Sequence, residues 1–130
     1  ITPTSTLSKI LFKIYITYGG GNNAYNNLRM VRDSTPIALG TTATGNQVNA
    51  TIPANLWQAN SAQDRDEYKA VSSCMEFLDS PSTTSQVTYK VQAYVQSASA
   101  AFVLNQPERT DNGAYIGRYV STITAMEVLA

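Results

Sequence analysis

The sequence predicts an all-β protein: a single antiparallel β-sandwich domain over residues 1–130, jelly-roll-like, with about 7–9 short strands. Several segments alternate hydrophobic and polar residues with a period of two, as strands with one face in a core do. Turn signals separate them roughly every 8–12 residues, a spacing typical of sandwiches rather than of βαβ units. Only 14% of residues are charged; polarity comes mainly from 15 Thr, 12 Ser and 10 Asn, which suit solvated strand faces and turns.

The N-terminal half contains one long predicted strand and several short ones. Residues 9–18 alternate strictly, and residues 19–23 (GGGNN) end that strand because Gly and Asn tolerate positive φ. Shorter strands are predicted over residues 27–32, 36–39 and 47–52. The predicted core face of the long strand consists of Ile10, Phe12, Ile14, Ile16 and Tyr18.

The middle of the chain is less regular. Residues 54–61 are compatible with a single helical turn or with a packed loop, and residues 61–67 predict an exposed loop. Asp64, Asp66 and Glu67 lie close together in that loop. We expect them to be solvated, the alternatives being a Ca²⁺ site or the carboxylate pair of a glycoside hydrolase.

Two long strands are predicted at residues 68–78 and 86–95. The short Pro-containing turn between them predicts an antiparallel hairpin. A further strand is predicted over residues 98–104, followed by a loop over residues 105–113 that ends in the turn signal Asn-Gly.

The final segment, residues 118–129, alternates cleanly but has apolar residues on both faces. Such a strand is either central in its sheet or buried at a subunit contact. We expect the first and last strands to be neighbours at inner positions of one sheet.

The composition argues against several functions. Nine basic and nine acidic residues give a formal net charge of zero, and the Lys and Arg residues are scattered, so no nucleic acid partner is expected. No segment approaches the roughly 18 apolar residues of a membrane span, so no membrane insertion is expected. The chain has no His, which excludes Ser-His-Asp and Cys-His catalysis and His-based metal sites. No catalytic residue, metal or cofactor is therefore predicted.

Cys74 is the single cysteine, so no intrachain disulfide can form. It falls within a predicted strand and has no His to activate it. The sequence therefore predicts a small, buried, unreactive residue.

A Gly/Asn-rich loop and one aromatic residue are the best candidates for surface recognition. Tyr25 lies among asparagines in a predicted loop that contributes few residues to the core. Exposed aromatic rings favour binding of sugars and contacts between subunits. The candidate binding residues are Asn22, Asn23, Tyr25, Asn26 and Trp57. They favour a carbohydrate-binding module, recognising a host surface glycan, as the alternative to a structural role.

Residues 77–85 (FLDSPSTTS), followed by residues 87–92 (VTYKVQ), resemble a pattern in virion proteins of marine and cyanobacterial phages and some large algal viruses. The end of those proteins is similar to residues 121–128 (STITAMEV). Residues 111–113 (DNG) loosely match their Asp/Asn-rich loop before the final strand. The resemblance covers the chain from Tyr68 onward.

That resemblance implies a trimeric jelly roll related to tumour-necrosis-factor-like and complement-globular-head domains. Such proteins lie on tail fibres, spikes or capsid surfaces, and no catalytic residues carry over. The expected function is thus that of a non-enzymatic, virion-located structural protein: a tail-fibre tip, spike head or capsid decoration. It would form a homotrimer, contact other virion proteins and take part in host recognition.

Overall fold

The computed structural model describes residues 1–20, 25–54, 68–96 and 101–129. Within these ranges the chain forms eight strands in two antiparallel sheets and no α-helix. The predicted antiparallel β-sandwich is confirmed, whereas its jelly-roll character stays a prediction. The strands are β1 Lys9–Gly19, β2 Asn26–Arg32, β3 Thr35–Ile37, β4 Ile52–Pro53, β5 Ala70–Asp79, β6 Tyr89–Val95, β7 Val103–Leu104 and β8 Thr122–Val128.

Each sheet is built around one central strand. In the first sheet, β1 pairs with β5 along nearly its whole length. Its other edge is shared by β8 and, further along, by β7. In the second sheet, β2 pairs with β6 on one edge and with both β3 and β4 on the other. Among the described residues, each sheet is therefore at most three strands wide.

The core lies between the two central strands. All five residues of the predicted core face of β1 are buried, and Phe12 is fully inaccessible. Leu28 and Met30 of β2 face them from the second sheet. Burying each such side chain contributes about 1.5–3 kcal/mol, so the β1–β2 contact is the main source of stability in the sandwich.

The predicted hairpin between residues 68–78 and 86–95 is wrong. β5 pairs with β1 and β6 pairs with β2, so residues 80–88 cross from one sheet to the other. The crossing is fixed by Asp79, whose buried carboxylate accepts hydrogen bonds from Arg32 and Tyr89 of the second sheet. A Pro-containing turn signals a reversal of the chain but not the sheet to which it returns.

Two predicted strands are much shorter than expected. The strand predicted over residues 47–52 is reduced to Ile52–Pro53, and that over residues 98–104 to Val103–Leu104 within the described residues. In the first case, side chains of residues 40–51 bind the backbone of the same segment. Asn and Gln side chains compete in this way with the hydrogen bonds of a sheet.

The prediction that Cys74 is buried is wrong. Cys74 is exposed and lies opposite Tyr15 in the β1–β5 register. Because strand residues alternate between faces, the inward direction of Met75 and Phe77, which pack on the core, turns Cys74 outward.

β8 is a neighbour of β1, as predicted, but it is not an inner strand. Its second edge has no partner strand among the described residues. The alternative, burial of β8 at a subunit contact, stays a prediction.

The possible helical turn and the acidic loop, with Asp64, Asp66 and Glu67, lie outside the described residues, apart from Ala54. In the part of the chain that the structure describes, no helix has the length and hydrophobicity needed to cross a bilayer.

Candidate functional site

A cleft of about 660 Å³ lies on the outer face of the second sheet, beside the loop of residues 40–51. Asn27 of β2 is at its centre, and the strand registers place Pro53 of β4 and Tyr94 of β6 on either side of it. Tyr25 lies just before β2 and adds a second tyrosine to the lining. The cleft is thus assembled from three adjacent strands and one loop.

The loop is held by its own side chains. The Ala43 amide donates to Oδ1 of Asn49 at 2.7 Å, and the Thr44 amide donates to Oε1 of Gln47 at 3.0 Å. The Gly40 amide donates to the Ala50 carbonyl at 3.1 Å and closes the base of the loop. These bonds define one conformation for this wall of the cleft.

Thr51 anchors the loop to the sheet. Its amide donates to the Leu28 carbonyl at 2.8 Å. Its hydroxyl accepts a hydrogen bond from the Met30 amide at 3.0 Å and donates to the Ile37 carbonyl at 3.3 Å. Thr51 therefore fills the gap that β3 and β4 leave along the edge of β2.

The lining of the cleft is polar but uncharged. None of the described residues that line it is Asp, Glu, Lys or Arg; amides, hydroxyls and the two tyrosines predominate. A second trough of about 430 Å³ adjoins it and shares Asn27, Asn49 and Tyr94 with it. That trough contains Arg29, whose Nε donates to Oε1 of Gln92 at 2.9 Å.

The predicted binding residues separate in the structure. Tyr25 is 45% exposed and lines the cleft. Asn26 is fully buried, and its Nδ2 donates to the Ala101 carbonyl at 3.0 Å, so its side chain is not open to a ligand. Asn22, Asn23 and Trp57 lie outside the described residues.

Sequence reasoning missed the other parts of the cleft: Asn27, Tyr94 and the loop of residues 40–51. The detectable signal was the loop itself, a run of twelve residues without charge that is rich in Thr and Asn. Its position over β2 and β6 follows from long-range pairing, which no local pattern reveals.

A second feature is apolar. Five apolar side chains among residues 120–129 are exposed, and we call them the β8 surface. Single exposed apolar residues are common, but several along one strand edge are a candidate interaction site. Met126 lies opposite Leu11 on the outer face of the sheet, whereas Ile123 lies opposite Ile14 on the face toward the core. The exposed fractions are Val120 69%, Ile123 57%, Met126 51%, Val128 40% and Leu129 71%.

The sandwich is open beside this surface. An apolar cleft of about 310 Å³ separates β7 and β8 from β6, and Ile123, Phe102, Leu104 and Val91 contribute to its lining. Although Ile123 pairs with the core residue Ile14, it is more than half exposed. The described part of the second sheet therefore covers this side of the core incompletely.

Among the described residues, no group of three or more His, Cys, Asp or Glu side chains is placed to hold a metal ion. No protein-family model matches the chain, and comparisons with curated proteins and with solved structures likewise found no match. The uncharged cleft and the β8 surface are therefore the features of the described residues that bear on function.

Proposed function

We propose that the chain is a non-enzymatic structural domain of a virion that self-associates as a homotrimer in a tail-fibre tip, spike head or capsid decoration. The observation that carries the self-association is the β8 surface, where five apolar side chains lie exposed along a strand edge that has no partner among the described residues. The virion location and the threefold symmetry are supported by the resemblance of the C-terminal half to trimeric virion proteins.

A second copy of the chain suits this surface because the surface is predominantly apolar and has a single charged residue. Glu127 is the one charged residue of β8, and its Oε1 accepts hydrogen bonds from the amide and hydroxyl of Thr4 at 2.7 and 2.8 Å. These bonds lower the pKa of Glu127 and so stabilise its negative charge. Each identical subunit brings one carboxylate to this contact, and that carboxylate is already hydrogen-bonded within its own chain.

The outer face of the first sheet extends the apolar area. Leu11 of β1 lies between Leu78 of β5 and Met126 of β8 in the strand registers. The next outward position holds Lys13 and Glu76, whose side chains are paired at 3.0 Å. A contact centred on β8 can therefore extend to Leu11, and it would also meet Lys9, which is exposed and lies opposite Val128.

The test of self-association is the solution mass by light scattering behind size exclusion at micromolar concentration. We expect three times the single-chain mass. The double substitution Val120→Lys and Met126→Lys adds two like charges per subunit to the β8 surface and should give a folded monomer. Leu39→Lys, at an exposed position just after β3 in the other sheet, is the matched control and should stay trimeric.

A single-chain mass for the unsubstituted protein contradicts self-association, and a stable dimer contradicts the threefold arrangement. Circular dichroism of both lysine variants shows whether a loss of mass reflects dissociation or unfolding. The virion role has its own test: gold-labelled antibody to the domain should decorate virus particles purified from the source of the sequence. Unlabelled particles would contradict it.

A further inference from the structure

We propose that the cleft beside the loop of residues 40–51 binds an uncharged oligosaccharide. The proposal names a ligand class for a site that self-association leaves unused, and it does not depend on the trimer or on the virion location. Three properties of the cleft carry it: the chemistry of its lining, the placement of two tyrosines and the fixed conformation of its loop.

The lining selects against charged ligands. Phosphate, sulfate and carboxylate groups are held in proteins chiefly by Arg, Lys and backbone amides at helix N-termini. The described lining residues include no cation and the described chain has no α-helix. Arg29 in the adjoining trough is already bound by Gln92. Amide and hydroxyl side chains form hydrogen bonds with neutral hydroxyl groups of a ligand. The desolvation cost of such bonds is lower than that of burying a charged ligand group.

Tyr25 and Tyr94 supply the apolar part of the site. Each is 45% exposed, and both line the cleft. Neither belongs to the core, which lies on the opposite face of β2. An aromatic ring with an exposed face and a polar hydroxyl matches a sugar, which presents C–H groups on its faces and hydroxyls around its rim.

The amides of the loop are oriented before any ligand arrives. Asn49 and Gln47 use their side-chain oxygens to hold the backbone of the loop. Their NH₂ groups donate to no acceptor among the described residues, so these are the groups left for a ligand. Such preorganisation lowers the entropy lost on binding.

The size of the site indicates an oligosaccharide rather than a single sugar. The cleft of about 660 Å³ falls within the usual range of ligand sites, roughly 300–1,000 Å³. The trough of about 430 Å³ continues from it past Asn27 and Tyr94. A linear chain of several sugar units fits two connected depressions that share a wall.

The experiment is a glycan array that carries neutral and acidic oligosaccharides, followed by calorimetry with the best neutral ligand and the full chain. We expect binding to neutral glycans alone. Tyr25→Ala and Tyr94→Ala should each weaken binding at least about tenfold, since loss of an aromatic stacking partner removes a principal contact. Tyr115→Ala, at a tyrosine that is 64% exposed and outside the cleft, is the matched control and should bind normally.

Three outcomes overturn the proposal: no neutral glycan binds, only acidic glycans bind, or both cleft variants bind as tightly as the unsubstituted chain. Chemical shifts of the Asn27 and Asn49 side-chain amides provide a second measurement, since they should move on titration with the neutral ligand. The lysine variant of the β8 surface should still bind glycan in calorimetry. A failure of trimerisation is therefore distinguishable from a failure of glycan binding.

Discussion

The Arg32 guanidinium and the Asp79 carboxylate join the two sheets at one end of the sandwich. Arg32 Nη1 donates to both carboxylate oxygens, at 2.9 and 2.8 Å. The Tyr89 hydroxyl donates to Oδ2 of the same carboxylate at 2.6 Å. Since Asp79 ends β5 while Arg32 and Tyr89 belong to paired strands of the other sheet, this cluster fixes the position of one sheet over the other.

Asp79→Asn should destabilise the protein by about 3 kcal/mol, because it leaves the Arg32 cation without its partner in a largely buried place. The side chain of Asp79 is only 7% exposed. Arg32 is 25% exposed, which keeps the loss at the low end of the range for buried pairs. Urea unfolding followed by circular dichroism, at one fixed protein concentration, measures the change.

The matched control is Glu76→Gln. It breaks the Lys13–Glu76 pair, which joins the adjacent strands β1 and β5 on the outer face of the first sheet and has side chains 45% and 60% exposed. Exposed ion pairs contribute about 0–1 kcal/mol to stability, so the urea concentration at the midpoint of unfolding should scarcely change in Glu76→Gln. Equal losses in the two variants would show that the Asp79 cluster does not hold the sheets together.

Tyr89 should make the protein less stable in alkali. Burial, together with the hydrogen bond to Asp79, raises the pKa of Tyr89 far above its ordinary value of 10.0. Above about pH 10 the unfolded chain releases this proton while the folded chain retains it, so the free energy of unfolding falls as the pH rises. Tyr89→Phe should flatten that decline in urea unfolding measured from pH 9 to 11. If the free energy of unfolding of Tyr89→Phe falls with pH as steeply as that of the unsubstituted protein, Tyr89 is not the cause of the decline.

Gly19 is required where β1 passes close to the segment after β7. A Cβ on residue 19 would lie 2.5 Å from the Gln106 carbonyl oxygen and 2.7 Å from Cα of Pro107, and both are backbone atoms that cannot turn aside. Gly19→Ala should therefore cost about 1–3 kcal/mol, visible as a lower midpoint of thermal unfolding.

Gly40→Ala provides the comparison, since its Cβ would meet only the Ala50 oxygen at 3.7 Å, an ordinary contact. This substitution should leave the free energy of unfolding unchanged or raise it by up to about 0.5 kcal/mol. If Gly19→Ala has as little effect on stability as Gly40→Ala, the result would contradict the close approach of residues 106–107 to β1.

The strands were predictable where one face is buried and the other is wet. Ile10, Phe12 and Ile14 alternate with Lys9 and Lys13, and this pattern alone defines β1 and its core face. Pairing was not predictable in the same way. The turn after Asp79 has the composition of a hairpin, yet the bonds to Arg32 and Tyr89 direct the chain to the other sheet, and such long-range contacts leave no local pattern.

The candidate site was predicted only in part for the same reason. Tyr25 was identified because it stands in a polar loop, but Asn26 beside it begins β2 and points into the protein. Tyr94 lies in an alternating strand pattern, and nothing in that pattern distinguishes it from other tyrosines in strands. Only the pairing of β6 with β2, which sets Tyr94 opposite Asn27, makes it part of the cleft.

Cys74 provides a probe of where the subunits meet. It is exposed on β5, at the edge of the first sheet opposite β8, so in the assembled protein it should react with a maleimide about as fast as in urea. Val120→Cys in a Cys74→Ser background places the thiol on the β8 surface instead, where assembly should protect it. Mass spectrometry of timed reactions measures both rates. Slow labelling of Cys74 together with fast labelling at residue 120 would move the interface to the β5 edge and contradict association through β8.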